Sequence, residues 1–586
     1  MNAAVTLPKL IEELGNKSKN PKALNFEHNG VWQALSTDQF ILKAKEIACA
    51  LNQMGIQKGD RVGLMASPSP RWSLADFGII LAGAVTVPLF ANISHENFQF
   101  EVSQTEIKVL FLEGQEPWKM VEEHLSSFTH LIDMEDEATN SLKNIQINGW
   151  KDLLKRGQTL LSQNPEIFTK ITENIQPEDL ATIIYTSGST GVPKGVEMTH
   201  ANITSLLKLD PFVWNVQKDR YVSILPLAHV YARAINFFMI FSGISIYYCN
   251  QLKNFLKVCK TIQPTLLVVV PRLLEKIKEG MLVHIEGLKG FKQTVGTWAF
   301  HLAEHPASGF FATVQHAIAD KLVYNKFREA LGNKVAVIIS GGAPLNPEVC
   351  NFYSQIEMPI YEGWGLTEAA PITVNRKGRT KVGTVGQILS SFSIKISPEG
   401  EILVKGPVVM HGYYKNPKEN EKVFNEEGWL KTGDRGTIDE EGYLTILGRL
   451  KDLYKTSTGE YVAPLPIEQA LSRCPLIDLS MIIAENRRFV SCLIFPNFLV
   501  VEKLKKAGMW DQLSDIAFLN SKYVQEEIQK HIDQINPHLN HWEKIQKWRI
   551  IPEAPTTESG LLTPSLKLIK GAVLKKYSEE IESMYH

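Results

Sequence analysis

Residues Tyr185 to Gly195 read Tyr-Thr-Ser-Gly-Ser-Thr-Gly-Val-Pro-Lys-Gly and follow directly on the apolar run Ala181 to Ile184. An apolar run that ends in a glycine-rich turn is typical of a buried strand that feeds a functional loop. The glycines let the backbone approach an anion, the hydroxyl side chains donate hydrogen bonds, and Lys194 adds positive charge, which together suit a polyphosphate. The stretch therefore predicts a phosphate-binding loop with the ligands Thr186, Ser187, Gly188, Ser189, Thr190, Gly191 and Lys194.

The register of this loop separates it from other glycine-rich motifs. In a Walker loop the lysine follows a glycine and precedes a hydroxyl residue, whereas here Pro193 precedes Lys194 and Gly195 follows it. The stretch also lacks the GxSxG pattern of hydrolases. A flexible Ser/Gly turn is the plain structural alternative, but a proline and a lysine are poor linker composition directly after a strand. A phosphate-binding function is therefore favoured over a flexible turn.

Further apolar runs, each followed by a Gly- or Pro-rich turn, predict buried strands. They are Leu180 to Tyr185, Tyr221 to Leu225, Thr265 to Val270 and Val335 to Ile339. Nearer the N-terminus, helical spacing predicts an amphipathic helix from Ser36 to Gly55, then a strand from Val62 to Met65, then a second helical stretch that ends near Pro88. Helices that alternate with strands predict an α/β fold, in which ligands collect beyond the carboxyl ends of the strands.

Length and composition set broad limits on the protein. With 586 residues, 44% of them hydrophobic, the chain can bury more than one core, and we expect at least two domains. Lysine and arginine (62 residues) nearly balance aspartate and glutamate (63 residues), so no global basic field attracts nucleic acid. The six cysteines form no CxxC pair and are expected to be small core residues in a reducing compartment.

The sequence also bears on membranes. The first residues carry charges throughout and lack the apolar run of a secretory signal, so the expected location is the cytoplasm. The longest uncharged run, Ala234 to Cys249, is shorter than a spanning helix requires and predicts a buried helix followed by a strand. Peripheral membrane contact through an exposed apolar patch stays open, as does the oligomeric state.

The pattern changes past Glu401, where short strands are separated by glycine turns, at Gly406, Gly428, Gly433 and Gly442. We place a domain boundary after Arg449, which predicts domains at residues 1–449 and 450–586. The second domain has helix-like and strand-like stretches: Pro466 to Ser472, Leu479 to Ala484, Phe489 to Phe495 and Ser521 to Ile535. The predicted fold class is α/β, with a large N-terminal multi-sheet α/β domain and a small, mobile C-terminal α+β domain.

Several separated motifs stand in an order that chance does not explain. Besides the phosphate loop they are Leu225-Pro-Leu-Ala-His-Val-Tyr231, Tyr361-Glu-Gly-Trp-Gly-Leu-Thr-Glu368, Lys455-Thr-Ser-Thr-Gly-Glu-Tyr-Val-Ala-Pro464 and Gly560-Leu-Leu-Thr-Pro-Ser-Leu-Lys567. Through them the sequence resembles the adenylate-forming (AMP-binding) superfamily from about Gly59 to Lys567. Within that superfamily it is most similar to the long-chain fatty-acid CoA ligases (acyl-CoA synthetases).

The resemblance implies which residues hold ATP and coenzyme A outside the phosphate loop. They are Gly341, Gly342, Ala343, Pro344, Glu362, Gly363, Trp364, Asp434, Arg449 and Gly459. The indole of Trp364 would pack on the adenine, because a large π-face suits a nucleobase. The carboxylate of Asp434 would accept from both ribose hydroxyls, and Arg449 would donate to ribose or phosphate. Gly459 would lie where the pantetheine of coenzyme A passes.

The catalytic residues that the resemblance implies are Lys567, Thr367, Glu368 and His229. Lys567 would offset negative charge at the α-phosphate during adenylation. Thr367 would touch that phosphate, and Glu368 together with Thr190 would hold Mg²⁺, a hard cation that prefers oxygen ligands. His229 would flank the carboxylate site as a positioning residue.

The implied function is ATP- and Mg²⁺-dependent activation of a fatty acid, with a long chain expected, followed by transfer to coenzyme A. A turn of the small domain about Lys451 would separate the two half-reactions. Two alternatives stay open: adenylation of another acid or transfer to an acyl carrier protein, and a non-catalytic lipid or nucleotide sensor. Retention of Lys194, Glu368, Asp434 and Lys567 counts against the sensor, which has no need of a catalytic lysine.

Overall fold

The computed structural model of the protein describes residues 5–137, 145–186, 192–208, 215, 218–306, 309–450, 453–508, 510–556, 559–563 and 567–586. The chain forms two compact units. Unit 1 comprises Met1–Ile394, Val404–Lys431 and Glu440–Leu444, and unit 2 comprises Lys395–Leu403, Thr432–Asp439 and Thr445–His586. The domain boundary predicted after Arg449 stays a prediction.

The elements are numbered in chain order. The helices are α1 Leu7–Lys17, α2 Thr37–Gln53, α3 Pro70–Leu81, α4 His95–Thr105, α5 Gln115–Glu122, α6 Trp150–Gln163, α7 Ile167–Thr172, α8 His200–Leu206, α9 Val230–Phe241, α10 Phe255–Ile262, α11 Pro271–Glu286, α12 Phe291–Glu304, α13 Phe310–Ala319, α14 Asn325–Ala330, α15 Pro347–Gln355, α16 Pro417–Val423, α17 Pro464–Leu471, α18 Phe498–Ala507, α19 Asp515–Leu519, α20 Lys522–Ile535, α21 Lys570–Lys576 and α22 Ser578–Ser583.

The strands are β1 Leu24–His28, β2 Val31–Leu35, β3 Arg61–Met65, β4 Val85–Pro88, β5 Val109–Leu112, β6 His130–Asp133, β7 Gln146–Gly149, β8 Leu180–Thr186, β9 Lys194–Thr199, β10 Arg220–Ser223, β11 Ser245–Tyr248, β12 Leu266–Val269, β13 Val337–Ser340, β14 Ile360–Leu366, β15 Ala369–Val374, β16 Gln387–Ile388, β17 Ser393–Ile396, β18 Glu401–Lys405, β19 Gly412–Tyr413, β20 Leu430–Ile438, β21 Leu444–Arg449, β22 Tyr454–Lys455, β23 Tyr461–Val462, β24 Ile477–Ile483, β25 Val490–Pro496 and β26 Ile545–Ile550.

Unit 1 is built on two large sheets. The nine-stranded sheet has the order β16-β15-β14-β13-β12-β10-β11-β1-β2, and the eight-stranded sheet has the order β19-β9-β8-β4-β3-β5-β6-β7. The strands from β14 to β1 in the first sheet and from β8 to β7 in the second run parallel. Antiparallel strands, among them β9 and β19, flank these parallel cores. Parallel strands place the loops at their carboxyl ends along one edge, where a ligand site can form.

Close helix packing supports these sheets. Helix α2 begins at a capping box, in which the Ser36 hydroxyl accepts from the Gln39 amide and the Gln39 side chain accepts from the Ser36 amide. It packs against α6, where a Cβ placed on Gly157 would lie 1.9 Å from the carbonyl oxygen of Glu46. Glycine is therefore required at this helix contact.

The segment between β12 and β13 is helical, with α11 to α14 and a π turn at Asp320–Tyr324. Most of it packs on a core that contains the buried residues Phe300, Tyr324 and Phe352. Helix α13 is different, because its first two residues, Phe310 and Phe311, are 78% and 82% exposed. This segment thus carries an apolar surface as well as a core.

Unit 2 holds most of the four-stranded sheet β17-β18-β20-β21, together with the pair β22-β23 and the sheet β24-β25-β26. Strand β25 is buried along its whole length and faces a core on each side. Cys492 and Ile494 belong to one core, which α17 and α20 complete, and Leu493 and Phe495 belong to the other, which α21 and α22 complete. Alternate residues of a strand point to opposite faces, so two covered faces require an uninterrupted apolar run.

The predicted fold class is confirmed, with a large multi-sheet α/β unit and a smaller unit of mixed helices and strands. The predicted helix at Ser36 to Gly55, the strand runs, and the helix followed by a strand within Ala234 to Cys249 are also confirmed. The six cysteines are free and buried, as predicted. Among the described residues, no helix is long and apolar enough to cross a membrane.

Two sequence predictions are wrong in detail. The second helical stretch ends at Leu81 and not near Pro88, because Gly83 adopts a positive φ of 75° and stops the helix, after which Val85–Pro88 forms β4. Gly433 was predicted in a turn between strands, but it lies inside β20, where its amide donates to Oε1 of Glu401 at 2.9 Å. A glycine with a positive φ can therefore lie inside a strand when a side chain, and not the backbone of the neighbouring strand, accepts the hydrogen bond from its amide.

Candidate active site

The phosphate loop joins two antiparallel strands of unit 1. Strand β8 ends at Thr186 and β9 begins at Lys194, and these two residues lie opposite each other in the ladder. The five predicted ligands between them, Ser187, Gly188, Ser189, Thr190 and Gly191, lie outside the described residues. The pairing of β8 with β9 therefore fixes both ends of the predicted loop, at the end of β8 and the start of β9.

Lys194 is surrounded by groups that the motif analysis did not identify. Its ammonium forms an ion pair with Glu419 and lies 5.1 Å from the ring centroid of Tyr413. Glu419 also pairs with Lys422 at 2.8 Å. The hydrogen bond from Lys194, and then that from Lys422, lowers the pKa of Glu419 to about 2. The carboxylate is thus a permanent counter-charge for Lys194 at neutral pH.

Glu368 lies in a tight turn close to this group. Strands β14 and β15 pair up to Leu366 and Ala369, which leaves Thr367 and Glu368 as the two turn residues. The hydroxyl of Tyr413 donates to Oε1 of Glu368 at 2.6 Å, and the carbonyl of Glu368 accepts from the Met410 amide at 2.8 Å. Lys194 and Glu368, predicted from motifs far apart in sequence, are therefore joined through one tyrosine.

The loop Gly341–Ala343–Pro344 follows β13, next to β14. Ser340 at the end of β13 lies opposite Glu362 in the parallel ladder. A Cβ placed on Gly341 would lie 3.2 Å from the ring of Tyr231 and 3.3 Å from the carbonyl oxygen of Gly363, and Gly342 has a positive φ of 80°. Gly341 is therefore needed for the close approach of this loop to β14, and Gly342 for its backbone angle.

Trp364 lies on β14 opposite Thr373 and is half-buried. Part of its indole thus remains accessible, as an aromatic platform for a base requires.

His229 is the N-cap of α9, where its Nδ1 accepts from the Tyr231 amide at 3.2 Å. The Tyr231 hydroxyl donates to the carbonyl of Ile339 at 3.3 Å. His229 is in this way tied to the end of β13 through one residue.

Glu362 has an unusual environment for a carboxyl group. It is 7% exposed, and its burial raises the pKa to about 7, although the Leu345 amide donates to it and acts in the opposite direction. Because the folded chain binds this proton more tightly than the unfolded chain does, stability falls as the pH rises from about 4.5 to about 7. Above that range the loss stays constant.

We predict that Glu362→Gln removes this pH dependence. The amide stays neutral, so the variant should gain stability over the wild type on the order of 1–3 kcal/mol at pH 8 and little at pH 5. Urea unfolding followed by tryptophan fluorescence at both pH values measures the difference. A gain of the same size at both pH values would contradict the assigned cause.

In unit 2 the structure brings together three predicted residues from distant positions. The Arg449 Nε donates to Oδ1 of Asp434 at 2.9 Å, and the Asp434 side chain is 7% exposed. The pKa of Lys567 is lowered, first by burial of its ammonium and second by the guanidinium of Arg449, whereas Asp434 acts in the opposite direction. The residue as a whole is exposed. This cluster, Asp434–Arg449–Lys567, has excess positive charge, which suits a phosphoryl group.

Two further predictions concern the small unit. Gly459 lies in the turn between β22 and β23 with a positive φ of 93°, and no atom of the described part of the chain lies within 4 Å of a Cβ placed on it. The turn therefore needs a glycine for its backbone angle, and the space beside it is open. Lys451, the predicted hinge, lies outside the described residues, as do Pro564, Ser565 and Leu566 of the motif before Lys567.

The donors fit a magnesium ion held mainly by substrate. Glu368 supplies one carboxylate, oriented by Tyr413, and the second predicted ligand, Thr190, lies outside the described residues. Mg²⁺ in phosphoryl-transfer sites usually takes one or two protein oxygens and completes its coordination with phosphates and water. The residues present are thus compatible with a Mg²⁺–triphosphate complex.

Comparison with known protein families gives two matches. Residues 12–414 match the AMP-binding enzyme family, and residues 451–586 match the AMP-binding enzyme C-terminal domain. The chain therefore belongs to the AMP-binding enzyme family, which confirms the predicted adenylate-forming superfamily.

Individual relatives cover nearly the whole chain. It is 32% identical over 575 residues to the long-chain-fatty-acid–CoA ligase FadD15 of Mycobacterium bovis, covering 95% of this chain and 93% of that protein. It is 28% identical over 619 residues to the human long-chain-fatty-acid–CoA ligase ACSBG2, covering 99% and 92%. The crystal structure of the adenylation domain of a carboxylate reductase from Mycobacterium chelonae shares its fold, with a TM-score of 0.77 at 22% identity, covering 100% and 92%.

Tyr413, Glu419 and Tyr231 are the residues that motif analysis missed. Tyr231 ends the motif Leu225 to Tyr231, and Tyr413 and Glu419 lie outside the motifs described above. Their contacts depend on strand pairing between β19 and β9 and on the start of α16, which a single sequence does not disclose.

Proposed function

We propose that the protein activates a fatty acid with ATP to form acyl-AMP and then transfers the acyl group to coenzyme A, releasing AMP and pyrophosphate. The observation that carries the proposal is the contact chain Lys194–Tyr413–Glu368 within unit 1, in which the lysine would bind phosphate and the carboxylate would bind Mg²⁺. Similarity to proteins named long-chain-fatty-acid–CoA ligases over 95% or more of this chain supports the fatty acid and coenzyme A.

In the first half-reaction an oxygen of the fatty carboxylate forms a bond to the α-phosphorus of ATP. The bond from that phosphorus to the bridging oxygen breaks, and pyrophosphate leaves with the electron pair. Lys194 and the loop from Thr186 would hold the leaving phosphates, while Lys567 would offset the charge that develops at phosphorus. Bound Mg²⁺ would supply further positive charge to the phosphate oxygens beside Glu368.

In the second half-reaction the thiol sulfur of coenzyme A loses its proton to solvent and forms a bond to the acyl carbon, while the anhydride bond breaks and AMP leaves with the electron pair. We place the adenine by Gly341–Pro344 and Trp364, the ribose by Asp434 and Arg449, and the pantetheine by Gly459. His229 would keep the acyl carboxylate in line. A turn about Lys451 between the half-reactions remains part of the proposal.

Long-chain acids are the proposed substrates. Helix α9 leaves Ile235, Phe238 and Phe241 only partly buried against the core, and such side chains can line an apolar cavity for an acyl chain. The helical segment from Arg272 to Val335 is the second proposed wall. An acid with a polar tail would require polar groups in place of these apolar side chains.

We also propose that the protein, expected in the cytoplasm, contacts membranes peripherally through α13. Val314, Ile318 and Leu322 continue the exposed line of Phe310 at intervals of four residues, which places them along one side of a helix. Helix α13 contains no Lys, Arg, Asp or Glu, and Lys321, two residues after its end, is exposed. An apolar stripe next to a cation suits an anionic lipid surface better than water.

Cosedimentation with vesicles tests this contact. We expect the protein to bind vesicles that contain phosphatidylglycerol, and Phe310→Ser/Phe311→Ser to lower the bound fraction several-fold. Leu499→Ser, at a 54% exposed position of unit 2, is the matched control and should bind like the wild type. Wild-type protein that does not bind the vesicles but self-associates in size-exclusion chromatography would instead show that the apolar stripe contacts a second copy of the chain.

Pyrophosphate release tests the proposed function itself. Purified protein is incubated with ATP, Mg²⁺ and fatty acids of graded length, with and without coenzyme A, while acyl-AMP and acyl-CoA are followed by mass spectrometry. Acid-dependent turnover that coenzyme A completes, with longer acids preferred, is the expected result. Acyl-AMP that coenzyme A does not discharge would favour an acyl carrier protein, and no adenylate from any acid would favour the sensor.

A further inference from the structure

Tyr413 occupies the point where the two halves of the predicted phosphate–metal site meet. It is 6% exposed and lies on β19, paired with Val196 on β9. Its ring centroid lies 5.1 Å from the ammonium of Lys194, and its hydroxyl donates to Glu368 at 2.6 Å. One side chain therefore contacts the cation with its face and the carboxylate with its edge.

The backbone around Tyr413 is held at two points. Its amide donates to Oδ1 of Asn420 at 2.7 Å, and its carbonyl accepts from Nδ2 of Asn420 at 3.2 Å. A Cβ placed on Gly412 would lie 3.0 Å from that same amide nitrogen, so glycine lets the strand approach α16. The Asn416 side chain caps α16 by accepting from the Glu419 amide. The start of α16 thus places Tyr413 and Glu419 together.

We infer that Tyr413 is a positioning residue that orients Glu368 toward Mg²⁺ and supports Lys194 beneath the phosphates of ATP. This inference rests on the proposed function and adds a residue to the proposed site. A carboxylate that binds a metal with one oxygen needs its second oxygen or its rotamer fixed, and groups that do so affect metal affinity strongly. The aromatic face adds a cation–π contact that restrains the lysine.

Other charged residues also surround Lys194. Glu419 neutralises Lys194 and is itself shared with Lys422. A phosphate that binds Lys194 therefore displaces Glu419 from the lysine. Glu419 keeps its ion pair with Lys422 when Lys194 turns to the nucleotide. The phenol of Tyr413 carries no charge, so it restrains Lys194 and Glu368 without competing for the phosphate or the Mg²⁺.

Two substitutions separate the functions of the ring and the hydroxyl. Tyr413→Phe keeps the ring under Lys194 and removes the hydrogen bond to Glu368. We expect it to raise the Mg²⁺ concentration for half-maximal acyl-AMP formation by about tenfold, with little change in the KM for the fatty acid. Tyr413→Leu removes the ring as well and should in addition raise the KM for ATP. Tyr414→Phe, at the adjacent position, is the matched control.

A binding measurement complements activity. Mn²⁺ replaces Mg²⁺, and electron paramagnetic resonance reports the free metal in the presence of ATP and protein. We expect weaker Mn²⁺ binding to the ATP complex of Tyr413→Phe than to that of the wild type. In a cycle with Glu368→Gln, adding Tyr413→Phe should cause no further loss, because the hydroxyl then has no carboxylate to orient.

The outcomes for this inference and for the proposed function are distinct. Wild-type protein that forms no adenylate would contradict the proposed function, while the Mn²⁺ titration would still test Tyr413. Equal metal affinity in wild type and Tyr413→Phe would overturn the inference, as would an additive loss in the Glu368→Gln background. A lower unfolding temperature of Tyr413→Phe with unchanged Mn²⁺ affinity would mark the hydroxyl as merely structural and would also overturn it.

Discussion

Replacement of Lys567 by alanine is expected to lower the rate of acyl-AMP formation by about 10²- to 10³-fold. The reason is the charge that develops on the phosphoryl oxygens when the carboxylate attacks. A fixed ammonium offsets that charge in the transition state more than in bound ATP, so kcat should fall further than the affinity for ATP. Thioester formation from supplied acyl-AMP should change little, because the thiol attacks the acyl carbon and no bond to phosphorus forms or breaks in this step.

The surroundings of Lys567 favour this role. Asp434 and Arg449 form an ion pair, and the Asp434–Arg449–Lys567 cluster brings two cations to one carboxylate. Burial and Arg449 lower the pKa of Lys567, and a phosphoryl anion between the two cations would relieve their repulsion. The adenylation rate should therefore decline at a lower alkaline pH than an ordinary lysine would give.

Two measurements decide this prediction. Pyrophosphate release with fatty acid reports the first half-reaction, and the release of AMP from synthetic acyl-AMP with coenzyme A reports the second. Lys575→Ala, at an exposed position in α21, is the matched control and should behave as the wild type in both. Equal losses in both half-reactions for Lys567→Ala would remove the residue from its assigned step.

The sequence predicted well what is encoded locally. The buried strands are continuous apolar runs because parallel strands are covered on both faces, and β25 shows the reason, since Leu493 and Cys492 face different cores. Glycine positions were less certain. Gly83 ends a helix and Gly433 continues a strand, both with positive φ, because the outcome depends on which partner meets the backbone. A single sequence does not contain that information.

The candidate site shows the same division. Motifs predict catalytic or binding roles for Lys194, Glu368 and Lys567, each from a short local frame. They did not identify Tyr413, whose two contacts arise because β19 pairs with β9 more than 200 residues earlier in the chain. Likewise, Glu362 was predicted to bind nucleotide, but its raised pKa depends on burial beside Leu345. Residue types follow from motifs, whereas electrostatic environment follows from packing.

Replacement of Asp76 by alanine is expected to destabilise unit 1 by about 3–5 kcal/mol. Asp76 on α3 accepts from both Nε and Nη2 of Arg233 on α9, at 2.9 and 2.6 Å, and the two side chains are 1% and 2% exposed. Without the carboxylate, the guanidinium would stay buried with its charge uncompensated. Urea unfolding of the full chain, followed by tryptophan fluorescence, measures the loss.

The double variant Asp76→Leu/Arg233→Met separates charge from packing. It removes both ions and fills the space with apolar groups, so it should recover most of the stability that Asp76→Ala loses. A double variant as unstable as Asp76→Ala would show that the pair contributes mainly through its hydrogen bonds. Arg233 also donates to Thr182 on β8, whose hydroxyl donates to the carbonyl of Thr86 at 2.7 Å. Because β8 leads to Thr186 and the phosphate loop, a double variant that regains stability without this contact should still show a raised KM for ATP.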